Sequence, residues 1–202
     1  MASALIRAGN LEVTLACDAD DVGRAQRLRY RVFAEELGAA IGSADGLDRD
    51  IFDPYCQHLI ARDLDTGEVV GTYRLLSAEQ AGRVGCLYSD GEFWLTRLDS
   101  LRTQMVELGR SCVHPAYRKG PVIMLLWSGL GTLLAGSAHR YLIGCVSVPI
   151  TDGGHYAASL YRRLADQHLT DETLRVWPRR RLDLDRLDHH LDVLPPPRPD
   201  AQ

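Results

Sequence analysis

Leu11, Val13 and Leu15 alternate with polar neighbours, the period of two that marks a strand with one buried face. The period then changes to that of a helix. Val22, Ala25, Leu28, Val32 and Phe33 recur at helical spacing, with Asp18 or Asp20 placed to cap the start and Gly38 to stop the end. Residues 39–54 follow as an acidic loop. HLIARD and EVVGTYRLL are β-rich runs separated by Leu64-Asp65-Thr66-Gly67, which predicts a hairpin. Residues 77–102 are less regular, carry Tyr88, Phe93 and Trp94, and are expected to include a short helix near Leu98. Met105 to Val113 reads as a strand ended by His114-Pro115.

Pro121 to Ala138 is a run of 18 residues without a charge, flanked by Arg118-Lys119 and His139-Arg140. A spanning helix needs about 20 apolar residues, and three glycines, two serines and a threonine dilute this one. A buried helix is the expectation, with a membrane role as the alternative. YLIGCVSV, Tyr141 to Val148, is apolar almost throughout and predicts a buried central strand. Residues 155–167 have helical spacing at Ala158, Tyr161, Leu164 and Ala165, and 174–178 suit an edge strand. The order predicts an α/β fold with an antiparallel start and then a right-handed parallel strand, helix, strand unit. The expected domain is 1–178. From Arg179 to Gln202 the composition is biased and ends in prolines, which predicts a poorly ordered tail.

The chain has 202 residues, 46% hydrophobic and 25% charged, enough for one core of ordinary size. Its net charge of −4 argues against a nucleic-acid binder, which needs a basic field. Five widely spaced cysteines, Cys17, Cys56, Cys86, Cys112 and Cys145, fit neither a disulfide framework nor a zinc site, and no metal is expected. They point to a reduced, cytoplasmic chain, and the N-terminus lacks the apolar run of a signal peptide. Lys119 is the one lysine among 23 basic residues.

Residues with chemistry to offer cluster between Met105 and Ile123. A strand bearing Glu107 and Arg110 runs into a turn whose Arg118, Lys119 and Gly120 sit where the apolar helix begins. Free helix amides, a glycine and two cations make an anion site, against the alternative of a solvated turn. Glu107 on an apolar strand is costly unless paired or employed, and desolvation there would raise its pKa toward the range of a general base. Its other reading is an ion pair with Arg110 or Arg74. Asp50 and Asp53 suit either a cationic amine or an Asx turn. Cys112 reads as a buried, inert thiol rather than a nucleophile.

Four motifs in order then carry a resemblance: the run Asp48 to Leu59 with Asp53, Cys56 and His58-Leu59; VVGTYRLL (69–76); ELGRSCVHPAYR (107–118); and YLIGCVS (141–147). Together they resemble the ornithine-acyl[acyl carrier protein] N-acyltransferases, often labelled hemolysin-like, of the GNAT superfamily. The match spans roughly residues 24–180. The turn Arg118, Gly120, Val122 is similar only to a degenerate form of the GNAT acyl-CoA loop, as expected for a donor arm without a pyrophosphate.

The frame is also similar to the acyl-homoserine-lactone synthases, whose pattern is met by Arg29 and Phe33, Asp50 and Asp53, Arg74, and Glu107 with Arg110. The Cys56 to Leu59 and His114 to Arg118 stretches favour the ornithine group. A lactone synthase or other N-acyltransferase, or a non-catalytic carrier-binding or membrane-binding protein, are the other readings.

The resemblance implies a GNAT-like mixed sheet flanked by helices, and transfer of a (3-hydroxy)fatty acyl group from acyl carrier protein to the α-amine of ornithine, with no bound cofactor. It implies Glu107 as base, backbone N–H groups near Cys112 and Val113 on the thioester, and Arg118, Lys119 and Gly120 on the pantetheine phosphate. Asp50 and Asp53 would receive the cationic amino acid and Arg74 or Arg110 its carboxylate. Tyr156 is a candidate proton donor to the thiolate, while Tyr161 is expected in the core. A lipid product agrees with peripheral contact at the inner face of the membrane. Family members continue past the element matched by Leu194-Pro195-Pro196, so a shortened end is also an expectation.

Overall fold

The computed structural model describes residues 4–184 and 187. In chain order the elements are β1 (Ile6–Ala8), β2 (Leu11–Leu15), α1 (Ala19–Tyr30) running into a π-helical segment (Arg31–Glu36), β3 (Gln57–Asp63), β4 (Val69–Ser77), α2 (Ala78–Val84), α3 (Ser89–Glu92), β5 (Phe93–Trp94), a 3₁₀ stretch (Thr96–Gln104), β6 (Met105–Val113), α4 (Val122–Ala135), β7 (Tyr141–Ile143), α5 (His155–His168) and β8 (Trp177–Pro178). The chain divides into two compact units. One holds the residues up to Leu87 and Leu101–Gly144, the other Tyr88–Ser100 and the residues from Cys145 onward.

The first unit is built on a six-stranded sheet in the order β1-β2-β3-β4-β6-β7, antiparallel up to β6 and parallel between β6 and β7. The predicted antiparallel start and parallel crossover through α4 are therefore present. Alternation along β3 sends Leu59 and Ala61 to one face and Ile60 to the other. On the first face Val122, Leu126 and Leu130 of α4 cover Leu11, Val13, Leu59, Ala61, Val70, Leu75 and Val106. On the second, Ala25, Leu28 and Val32 cover Ile60, Val69 and Cys112. Glycine sets how closely α4 lies on the sheet: a Cβ on Gly71 would sit 2.6 Å from Val122, and one on Gly129 2.7 Å from Val13. Asp18 is the N-cap of α1, accepting a hydrogen bond from the Asp21 amide at 2.9 Å.

Three expectations are corrected. The Tyr141 to Val148 run is no buried central strand. Its strand, β7, has three residues, lies at the sheet edge, and leaves Tyr141 and Leu142 exposed. Pairing with β6 stops at Glu107 opposite Ile143, while β6 continues to Val113. The apolar helix is buried on one side only: Val122, Leu126, Gly129 and Leu130 face the sheet, whereas Met124 and Trp127 are exposed. Among the described residues no helix is long and apolar enough to cross a membrane.

In the second unit β5 pairs antiparallel with β8, so the predicted strand at 174–178 forms over Trp177–Pro178. Arg179 stacks on Trp94 at 3.7 Å and Arg97 on Trp177 at 4.5 Å. The N-cap of α5 is Gly154, and Asp152 just before it accepts from the Gly154 and Tyr156 amides at 3.0 and 2.7 Å. The third correction falls here. Helix α5 buries Ala158 and Ser159, and Tyr161 and Leu164, expected in the core, are about half exposed. The tail beyond residue 184, apart from Leu187, lies outside the described residues, as does Leu194-Pro195-Pro196.

Candidate active site

Arg29 sits in the apolar stripe of α1, next to Ala25, Leu28 and Val32, and is 0% exposed. A guanidinium there is stable only with carboxylates beside it, since an unpaired buried charge is prohibitive. The loop before β3 supplies them. Asp48 accepts from Arg29 Nε at 2.9 Å and Asp53 from its Nη2 at 2.6 Å, and the Asp48 carbonyl takes a further bond from Nη2. Arg74 of β4 donates to Asp50 at 2.6 Å and to Asp53 at 3.0 Å, and lies 5.7 Å from the centre of the Phe52 ring. Gln26 and the Asp50 amide complete the shell around Asp53 at 3.4 and 3.0 Å. Arg110 of β6 closes the group, 3.5 Å from both Asp48 and Asp50 and 5.8 Å from the centre of the Phe33 ring. Three arginines thus face three aspartates.

The charges hold one another in place. Burial would raise the Asp53 pKa, but Arg29 and then Arg74 hold it at about 2, below the usual 3.8. Burial and the Arg29 charge push the His58 pKa down. His58 lies in register with Arg74, its Nδ1 is 3.4 Å from Arg29 Nη1, and its buried Nε2 has no hydrogen-bond partner among the described residues. For Arg74, burial works against the charge, but the bond to Asp50 and the nearby aspartates raise its pKa further.

Strand register carries this row to the general-base candidate. His58 pairs with Arg74, Arg74 with Gly109, and the next row is Leu76, Glu107, Ile143. Cross-strand partners share a face, so Glu107, 4% exposed, lies on the side of the sheet that carries Arg74. A Cβ on Gly109 would meet nothing within 4 Å, so open space separates Glu107 from Arg110 along the strand. The β4–β6 register shifts here, with an extra residue on β6 between Gly109 and Cys112, and Arg110 takes φ of +49°, the left-handed region that a side chain disfavours. Among the described residues it is the one non-glycine in that region. Such strain, on the order of 1–3 kcal/mol, persists where surroundings impose it, and it aims Arg110 at the aspartates with 30% of its side chain still exposed.

The structure therefore brings together Arg29, Phe33, Asp50, Asp53, Arg74 and Arg110, and puts Glu107 on the same face. It also changes the expected division of labour. Asp53 is saturated by Arg29, Arg74, Gln26 and a backbone amide, and does not face an incoming amine. Asp50 Oδ1 forms an Asx turn, accepting from the Phe52 amide at 2.9 Å, and Asp50 remains partly accessible. Arg118 is no unengaged cation: both terminal nitrogens meet the Glu36 carboxylate, and Nε donates to the Val113 carbonyl at 3.1 Å. Lys119 and Gly120 are exposed in the turn before α4, whose N-cap, Pro121, makes no side-chain cap bond. Burial pushes the Cys112 thiol up to about 12, which makes it inert at neutral pH. Tyr156 lies in the second unit, half-buried in the first turn of α5.

Two members of the cluster, Asp48 and His58, carried no assigned role in the sequence. The cue for them is Arg29, a cation on a helical stripe that is otherwise core. A groove of about 420 Å³ beside α2, lined by Ala78, Ala81, Cys86, Leu87 and Arg102 among others, holds none of the candidate residues.

Comparison with known proteins matches residues 28–128 to the acetyltransferase (GNAT) domain. A curated relative from Rhodobacter capsulatus named L-ornithine N(alpha)-acyltransferase is 39% identical, aligned over 91% of this chain and 76% of that protein. One of the same name from Brucella abortus is 39% identical over 70% of this chain, which spans about half of its length (54%). Among solved structures, a CoA-dependent acyl-homoserine lactone synthase with SAM and isopentyl-CoA aligns at 20% identity and a TM-score of 0.49, covering 69% of this chain and 65% of that one. A GNAT domain that places Glu107 and Arg110 on a strained central strand, together with identity of this extent, makes the chain a member of the L-ornithine N(alpha)-acyltransferase family, acyltransferases built on the GNAT fold.

Proposed function

We propose that the chain transfers a fatty acyl group from the phosphopantetheine thioester of acyl carrier protein to the α-amine of ornithine. The observation that carries this reading is the pairing on β6 of a buried carboxylate, Glu107, with a half-open guanidinium, Arg110, across the open position at Gly109. An α-amino acid presents an ammonium and a carboxylate on one carbon, and this strand offers a partner for each. Arg110 keeps donors unused by its 3.5 Å contacts and receives the carboxylate as a fork. Arg74 is buried, and its Nη1 holds Asp50 and Asp53 instead. Asp50 is the acid left to meet the side-chain ammonium of ornithine.

Glu107 takes a proton from the α-ammonium, directly or through a water. The freed lone pair attacks the thioester carbonyl, a C–N bond forms, the C–S bond breaks, and the second proton that the nitrogen sheds as it becomes an amide goes to the leaving thiolate. The backbone N–H of Val113, on the part of β6 beyond its pairing with β7 and directed away from β4, polarises the carbonyl. Lys119, with Gly120 allowing close approach at the start of α4, takes the pantetheine phosphate, and Arg118 holds the turn against Glu36 rather than meeting the phosphate alone. The acylated product is amphiphilic and leaves toward a membrane.

The test is Glu107→Gln in the full chain. Acyl transfer to ornithine falls by about 10²–10⁴-fold, the usual contribution of a positioned base, while carrier binding and the unfolding midpoint hold. Activity within a few-fold of the parent removes Glu107 from the chemistry.

A further inference from the structure

Between Glu107 and Asp152 the sequence contains no Asp or Glu, although the chain as a whole carries 27 acids and a net charge of −4. The same stretch holds Arg110, Arg118, Lys119 and Arg140. At its middle lies α4, 14 residues with no charge at all, about 21 Å long at about 1.5 Å per residue. One side of α4 is core. The other presents Ile123, Met124 (66% exposed) and Trp127 (45% exposed) to solvent. Trp127 is held in place by an edge contact to Tyr73, ring centroids 5.9 Å apart. Lys119 before the helix and Arg140 after it are both exposed. An apolar strip that carries an indole, with a cation in the chain just before it and another just after it, is the composition of a surface that lies in the lipid headgroup region.

We propose that the outer face of α4 docks on an anionic phospholipid bilayer. Ile123, Met124 and Trp127 enter the headgroup boundary, and Arg140 meets lipid phosphates. An acidic carrier protein would also seek cations. The continuous uncharged length of α4, with cations only at its ends, instead matches an apolar layer bordered by phosphates. The docking deepens the acyl-transfer reading, since it places an enzyme with a lipid product at the surface that receives the product.

The experiment is co-sedimentation of the full chain with phosphatidylcholine vesicles, with and without phosphatidylglycerol, alongside transfer from a soluble donor. The parent chain sediments with anionic vesicles and only weakly with neutral ones, and salt weakens the binding. Met124→Asp lowers vesicle affinity by about tenfold or more, and Arg140→Glu several-fold. Both variants keep the parent rate with the soluble donor. The proposal is overturned if the parent ignores anionic vesicles, if Met124→Asp binds them as the parent does, or if that variant loses carrier affinity instead. Vesicle binding lost in Met124→Asp, in a chain that acylates no amine, supports the docking face and sinks only the acyl-transfer reading.

Discussion

Asp53→Asn is the sharpest probe of the buried charge network. The substitution keeps the side-chain shape and removes one of the three negative charges that face Arg29, Arg74 and Arg110. It also turns an acceptor toward Arg74 into a donor, so the Arg74 contact at 3.0 Å becomes a clash of N–H groups. Breaking a buried pair by removing one partner costs about 3–5 kcal/mol, a large part of the roughly 5–15 kcal/mol that holds an ordinary domain folded.

The same carboxylate gives the effect a pH signature. Its pKa is lowered on folding from 3.8 to about 2, and at about 1.4 kcal/mol per pH unit that interval is worth about 2 kcal/mol. A depressed folded pKa stabilises the protein fully above the unfolded value, and the stabilisation is lost as pH falls from about 4 through about 2. Roughly half of it is gone by pH 3. Urea unfolding of parent and variant at pH 7 and pH 3, followed by circular dichroism, reads both quantities. The gap between the two proteins is about 3–5 kcal/mol at pH 7 and narrows by about 1 kcal/mol at pH 3. A gap below 1 kcal/mol at pH 7, or one that stays constant with pH, refutes the closed network.

Two further outcomes follow from the same geometry. Cys112→Ala keeps acyl transfer within about threefold of the parent, because a thiol pushed up to about 12 carries no acyl group at neutral pH; a loss of a hundredfold, with a trapped thioester in the parent's mass spectrum, would assign it a covalent step. Arg110→Ala raises KM for the amino-acid acceptor by about tenfold or more, the worth of a charged hydrogen-bonded pair, and leaves the donor KM in place; an unchanged acceptor KM moves carboxylate recognition elsewhere.

Much of this fold is legible in local pattern, because β2 alternates, β3 and β4 are β-rich runs, and the hairpin at Leu64 to Gly67 between them carries its own turn residues. The π-helical segment Arg31–Glu36 is not. Val32, Phe33 and Gly38 read as the continuation and stop of one α-helix, whereas the Leu37 amide bonds five residues back to Val32. Phe33 lies in that wider turn and meets Arg110, and Glu36 meets Arg118, partners 77 and 82 positions away that no local pattern encodes.

The site divides in the same way. Glu107 stands out as a charge on an apolar strand, Asp50 and Asp53 as a close acidic pair in a loop, and Arg29, Arg74 and Arg110 through the family resemblance, but their pairings are set by strand register and by the loop that folds Asp48 over α1. Burial cost explains why those charges are satisfied by one another and why Asp53 cannot serve an incoming amine. The Tyr141 to Val148 run misleads for a related reason. Apolar continuity suggests a central strand, but the partner strand β6 carries its bulge just past Glu107, and pairing with β7 ends there.

The most direct measurement is the product itself. The purified chain is given a fatty acyl thioester of acyl carrier protein and L-ornithine labelled with ¹⁵N at the α-position, and the lipid extract is fragmented by mass spectrometry. An acyl-ornithine whose amide nitrogen carries the label is the predicted result. An amide on the unlabelled side-chain nitrogen, or acylation of other amines with ornithine left untouched, would contradict it.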